Sequence, residues 1–306
     1  MFEACPLKGY DMSAENRQIP YIATRYFLSK PDQIHTDDIL NPQKPCDVFS
    51  EWINGIDKSN YLQSNIGDSE YRMYFCEKYG KLRILFKFSK KTLRKINDAT
   101  DIDIESKLIN DYPFSYILID TKEQLVLIQK NSQLNSEPKT TMNLLAKVIN
   151  KALEGQRVIF KLSPITETKT FWSVIDKHKG KLETIEFDLL SPNYLGAEYD
   201  TNELLREIKD ECNNDSAKIT LKSDTGNLAL SKNSNFITNM IEYITNGGGR
   251  WFIKPVKQAR ITSEDSICEV GVEQVDVADP IPGETELDWA LRQINDIEST
   301  NKKDDE

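Results

Sequence analysis

Ser115-Tyr-Ile-Leu-Ile-Asp120 and Gln124-Leu-Val-Leu-Ile-Gln129 are apolar runs of strand length on either side of Thr121-Lys-Glu123. Their reading, strand, tight turn, strand, decides the fold. A segment of helical period follows over 140–153, where Met142, Leu145, Ala146, Ile149 and Leu153 form one apolar stripe. Arg157-Val-Ile-Phe-Lys-Leu-Ser-Pro164 is the next strand. A second helix is expected over 167–178, with Phe171, Val174 and Ile175 inward and Thr166 as N-cap. Lys181-Leu-Glu-Thr-Ile-Glu-Phe-Asp-Leu189 closes the series.

Working outward, Ile22 to Leu28 reads as a strand and Asp47 to Ile53 as a short amphipathic helix. Arg72–Cys76 and Lys81–Phe88 read as a hairpin around Gly80. In its second arm Leu82, Ile84, Phe86 and Phe88 alternate with Lys81, Arg83, Leu85 and Lys87, giving one buried and one basic face. Lys90 to Asn97 is expected as a basic helix or turn, and Thr100 to Asp111 as helical or irregular. Beyond Pro192, a helix from Asp200 to Cys212, a hairpin Lys218–Lys222/Asn227–Leu230 around Asp224-Thr-Gly226, a helix over 233–245 and a strand Arg250–Lys254 are expected. A bulged strand through Val270, Val272, Val275 and Val277 precedes a final helix over 284–297. The fold class predicted is α+β, with mixed β-sheets built from hairpins and packed helices in two domains. The N-terminal domain covers 1–190 and carries the basic hairpin, and the C-terminal domain covers 191–279. An acidic helix and tail fill 280–306.

With 306 residues, 39% hydrophobic and 29% charged, the chain can bury a sizeable core. No run of about 18 apolar residues suggests membrane insertion, and no secretory leader is recognised, so a cytoplasmic location is expected. The five cysteines are scattered singly, which points to free thiols rather than a metal or redox motif. Of the net charge of −10, residues 264–306 contribute 14 acids against 3 bases. The body is therefore near neutral, and its binding preferences do not follow from the overall acidity.

Few residues suggest catalysis. His35 lies in a proline-bounded loop. His178 ends the second helix beside Lys177 and Lys179, where the helix dipole favours a cation. No metal-ligand cluster or nucleophile elbow accompanies either. Gly247-Gly-Gly-Arg250 follows a helix and precedes a strand, the reverse of a phosphate cradle, and reads as a helix stop with close backbone approach. Glu167-Thr-Lys169 and Glu207-Ile-Lys209 carry the last letters of a metal-nuclease motif, but on helices. A metal-dependent nuclease with non-consensus ligands is thus an alternative reading.

The charge feature that carries a functional expectation runs from Lys78 to Lys95. It holds eight bases and no acid: Lys78, Lys81, Arg83, Lys87, Lys90, Lys91, Arg94 and Lys95. Such a stripe suits phosphate contact without base reading, on DNA or RNA, with Tyr74, Tyr79 and Phe88 as stacking candidates. A solvated or lysine-protected strand face is the competing explanation. In the last helix Leu287, Trp289, Leu291 and Ile294 offer an apolar side for a partner protein or a second copy.

Tyr112-Pro-Phe-Ser-Tyr-Ile-Leu-Ile-Asp-Thr121, Leu125-Val-Leu-Ile-Gln-Lys-Asn131, Arg157 to Ile165, Phe171-Trp-Ser-Val-Ile175, Leu182 to Phe187 and Ile219 to Leu230 resemble, in order and apolar pattern, the scaffold of RexA-type phage-exclusion proteins. The resemblance covers about 120 residues and is one of order rather than of diagnostic letters. It implies a non-enzymatic α+β protein, often dimeric, that contacts DNA without sequence preference in an anti-phage defence or exclusion role. It supplies no catalytic residue and no cofactor. A purely protein-binding subunit of a defence complex is the third expectation.

Overall fold

The computed structural model describes residues 18–30, 44–59, 61–79, 82–99, 102–191, 200–212, 214–266 and 269–273. Lys81, the expected last helix with Leu287, Trp289, Leu291 and Ile294, and His35 lie outside them.

The chain is α+β, with its strands in antiparallel ladders. The quoted central pair is present as β7 (Phe114–Asp120) and β8 (Leu125–Gln129). They sit inside a sheet ordered β14-β1-β8-β7-β4-β3-β2. Its other members are β1 (Gln18–Ser29), β2 (Tyr61–Ile66), β3 (Ser69–Tyr79), β4 (Arg83–Lys90) and β14 (Glu269–Glu273). β9 (Ile159–Pro164) pairs with the second half of β1, and β14 with its first half, both on the side away from β8.

One face of this sheet is apolar because its strands alternate in phase. Ile22, Tyr26, Met73, Ile84, Phe86, Phe88, Ile117, Ile119, Val126 and Ile128 all point the same way and are buried. α1 (Pro45–Gly55) and α2 (Pro138–Ala152) cover that face with Phe49, Ile53, Leu145, Val148 and Ile149. Tyr26, Phe49 and Phe160 form an aromatic centre with ring centroids 5.2–5.4 Å apart. Each such fully buried side chain contributes roughly 1.5–3 kcal/mol.

The second sheet is ordered β11-β10-β12-β13. It contains β10 (Leu182–Leu190), β11 (Ser216–Lys222), β12 (Gly249–Pro255) and β13 (Ile261–Thr262). α3 (Thr168–Lys177), α4 (Asp200–Cys212) and α5 (Asn235–Tyr243) accompany it, and Phe171, Leu205, Ile237 and Ile241 pack with Ile185, Phe187, Trp251 and Ile253 in one core. The two cores part between Phe160 and Phe171, so β10 belongs with the second sheet although it precedes residue 190.

Three local expectations change. Lys90–Asn97 and the described residues 102–111 are not helical. They form β5 (Thr92–Ala99) and β6 (Ile104–Asp111), a two-stranded ribbon that extends the β4–β7 pair beyond the sheet. The Asn227–Leu230 segment does not pair with β11. β11 takes β10 as its partner, and Asn227 makes an isolated parallel bridge to Leu182. Glu167, rather than Thr166, occupies the N-cap position of α3, without a side-chain cap bond, and Thr166 gives its N–H to the Thr245 carbonyl at 3.0 Å.

The glycine run does stop a helix. After α5 the chain makes one wide π turn, Ile244–Gly248. Gly249, at φ 148°, lies so close to β10 that a Cβ would stand 2.2 Å from the Asp188 carbonyl oxygen. This corner joins the two sheets. The Arg25 side chain of β1 donates to the Asn246 carbonyl at 2.7 Å and to the Glu123 carbonyl at 2.7 Å.

Candidate nucleic-acid interface

The helix-free faces of the two sheets differ in chemistry. On the second sheet the charges are matched across strands. Asp188 pairs with Arg250 at 3.0 Å, Glu183 with Lys254 at 2.8 Å, and Glu186 with both Lys218 at 2.8 Å and Arg260 at 2.5 Å. Lys218, followed by Arg260, holds the Glu186 carboxyl below the usual range. Phe252 lies under Arg260. Such a neutralised, solvated ladder offers little to a charged ligand.

On the first sheet the outward parity of β2, β3, β4 and β7 brings aromatic and cationic residues together. Because Leu62 pairs with Met73 in the core, Tyr61 and Tyr74 pair on the outside, at 5.1 Å between rings. Tyr74 stands opposite Lys87, and Lys87 opposite Tyr116. This row, Tyr61–Tyr74–Lys87–Tyr116, crosses four strands over roughly 14 Å. Its neighbours are Arg72 and Phe114. Lys87 Nζ lies 4.8 Å from the Phe114 ring centre and 5.5 Å from that of Tyr116. The Arg72 guanidinium lies over Tyr61 at 5.0 Å and Tyr112 at 4.8 Å.

Arg72 is fixed rather than free. It donates to the Tyr74 hydroxyl at 3.1 Å and to Glu70 at 2.5 Å. These two acceptors, Tyr74 first, raise its already high pKa further. Glu70 also takes Lys91 at 3.8 Å. One acid is thus shared by two cations, and Lys87 adds a third positive charge with aromatic faces beside it. Tyr61 is 44% and Phe114 37% exposed. Open ring faces next to fixed cations can take the π-face of a base, while the ammonium reaches a phosphate.

The expected basic stripe does not form one continuous surface. Arg83 pairs with the buried Asp120 at 3.0 Å. Lys78 donates to the Asn54 carbonyl and lies 5.7 Å from the Phe75 ring. Lys90 shares the core-side parity of Tyr71, over whose ring it sits at 5.9 Å, whereas Lys87 faces outward. Arg94 and Lys95 are exposed on the ribbon. Of the stacking candidates, Tyr74 is in the outward row, Phe88 is 0% exposed in the core, and the side chain of Tyr79 is outside the described residues. Sequence reasoning missed Arg72, Tyr61, Tyr112, Phe114 and Tyr116. The parity of Leu62 and Met73 was the signal that would have placed the first two.

Among the described residues no group of three or more His, Cys, Asp or Glu converges on a metal position. Likewise no described helix is long and apolar enough to cross a membrane. Cys46, Cys76 and Cys212 are free thiols, and burial raises the Cys76 pKa. No protein-family model, curated protein or solved structure matches the chain.

Proposed function

We propose that this chain is a nucleic-acid-contacting protein that takes single-stranded segments on the Tyr61–Tyr74–Lys87–Tyr116 face of its first sheet. The observation that carries the reading is the outward row of aromatic rings, exposed at Tyr61 and Phe114 and half-buried at Tyr74 and Tyr116, with Arg72 and Lys87 seated among them. Helices cover the opposite face, and the second sheet's outer face is internally neutralised. Stacking is tolerant of sequence because every base has a π-face, so non-specific binding is expected. The contact is by side chains and needs no cofactor. The RexA-type resemblance supports placing such a contact in an anti-phage sensor or exclusion role, with the chain acting by binding rather than by catalysis.

Anisotropy of labelled single- and double-stranded DNA and RNA, at about 50 and 200 mM salt, tests this. Single strands should bind, and more weakly at the higher salt. Phe114→Ala should weaken single-strand affinity by about 5- to 100-fold. Lys87→Ala should also flatten the salt dependence. Equal affinity of wild type and both variants would defeat the proposal. Magnesium-dependent cleavage abolished by EDTA would favour a nuclease instead.

A further inference from the structure

Among the described residues no third strand pairs with the β5–β6 ribbon. Isolated two-stranded ribbons are marginal in water. This one nevertheless exposes Leu93 at 69%, Leu108 at 68% and Ile104 at 67%, and with Ile102 and Ile109 carries half of the exposed large hydrophobic residues among those described. No described strand pairs with either of its outer edges, and β5 contains neither a proline nor a break in register.

Its charges are unbalanced in a specific way. Asp98 stands directly opposite Glu105, a like-charge pair. Lys107 answers both, at 3.0 Å from Asp98 and 4.0 Å from Glu105. Arg94, on the same ribbon face, is exposed and has no ion-pair partner among the described residues. On that face each ribbon therefore holds three anions, Asp98, Glu105 and Asp111, against Lys107 and Arg94, and only Arg94 of the two cations is idle.

We infer that β5 pairs edge to edge with β5 of a second copy of this chain, making a continuous β6-β5-β5-β6 sheet across a two-fold axis. The register follows from symmetry. An axis normal to the ribbon keeps each face on its own side, so only residues of equal parity can stand opposite one another. The contact is then centred on Arg94, Lys95, Ile96 or Asn97. The first two set identical cations against each other. Centring on Asn97 puts Asp98 opposite Ile96 and gives Arg94 no partner within β5. Centring on Ile96 sets Arg94 opposite Asp98 of the second copy, twice, with Ile96 against Ile96 and Leu93 against Ala99.

In that register each Arg94 meets an Asp98, so the Asp98–Glu105 repulsion is relieved in both copies. Pairing through β6 instead, centred on Ser106, would set Glu105 against Lys107. That reuses a lysine already engaged and leaves Arg94 idle. Charge balance thus selects the β5 edge. The inference rests on the ribbon alone and is independent of the nucleic-acid reading.

Sedimentation equilibrium of the full chain over a concentration series tests it, with circular dichroism to confirm folding. Wild type should be a dimer. Arg94→Glu and Asp98→Lys should each weaken self-association by at least about tenfold. Mixed in equal amounts, the two variants should form a heterodimer, because the reversed side chains then face each other and Arg94 still meets Asp98. That rescue is not available to a merely misfolded chain. A monomeric wild type, unchanged dimerisation of both variants, or a mixture that stays monomeric would overturn the inference. Loss of the dimer with Lys107→Glu but not with Arg94→Glu would overturn it in favour of the β6 edge.

Discussion

Two buried tyrosines show how a single atom ties stability to pH. Tyr243 lies at the end of α5, and its hydroxyl donates to the Leu190 carbonyl at 2.5 Å. Burial pushes its pKa well above the usual phenol range, and does the same to Tyr26 in the first core. A folded-state pKa raised above the unfolded value gives stability that is whole below the unfolded pKa, about 10, and is lost as pH rises beyond it. Urea midpoints should therefore hold steady from neutral pH to about pH 10 and fall above it. Tyr243→Phe should cost about 1 kcal/mol at neutral pH through the lost hydrogen bond, and should soften the alkaline fall. An alkaline limb as steep in the Tyr26→Phe/Tyr243→Phe pair as in wild type would count against this assignment. At the same scale, parity explains a misread residue. Phe88 alternates with Lys87, so the pattern that made Lys87 outward already made Phe88 a core side chain. Its chemistry as an aromatic near bases suggested otherwise.

Elements were legible where burial leaves a pattern. β7 and β8 are buried on both faces over most of their length and read as short apolar runs, whereas α2, α3 and β10 each bury one face, and the helical stripe or alternation records it. β5 and β6 have no buried face, so nothing in their sequence repeats at the strand period, and the basic run invited a helical reading. The Asn227–Leu230 arm was misread for another reason. A turn signature reports a reversal of the chain, not which strand the returning segment will meet. The glycine corner, by contrast, was readable because helix, breaker and strand stand in order. Gly249→Ala should be costly there, by about 2 kcal/mol or more, since the new methyl would overlap the Asp188 carbonyl in a conformation that L-residues avoid. Thermal unfolding of that variant beside Gly55→Ala, where a Cβ meets nothing within 4 Å, separates the clash from the generic effect of losing a glycine. The aromatic row needed registers across four strands, and no single segment contains that information.

At the scale of the whole molecule, β1 is the strand of the first sheet with the most described partners. It pairs with β8 on one side and with β9 and β14 on the other. β14 comes from residues 269–273, far along the chain from its partners at 18–22. Placing proline at Val270 or at Gly271 should show the value of that closure. N–H groups of alternate residues point to the neighbour in an antiparallel pair, so one of the two substitutions must remove a ladder bond. That one should lower stability by about 1–3 kcal/mol and the other by clearly less. Equal effects would mean that β14 contributes nothing through its ladder. The same pairing has a consequence for how the protein is made. Ribosomes add about 5–20 residues each second, so β1 emerges and then waits roughly 10 to 50 s for its last neighbour. Through that interval a nascent strand rich in Tyr21, Ile22, Phe27 and Leu28 has part of its edge open. Newly synthesised chains, rather than finished ones, are the population that crowding and holdase chaperones will act upon.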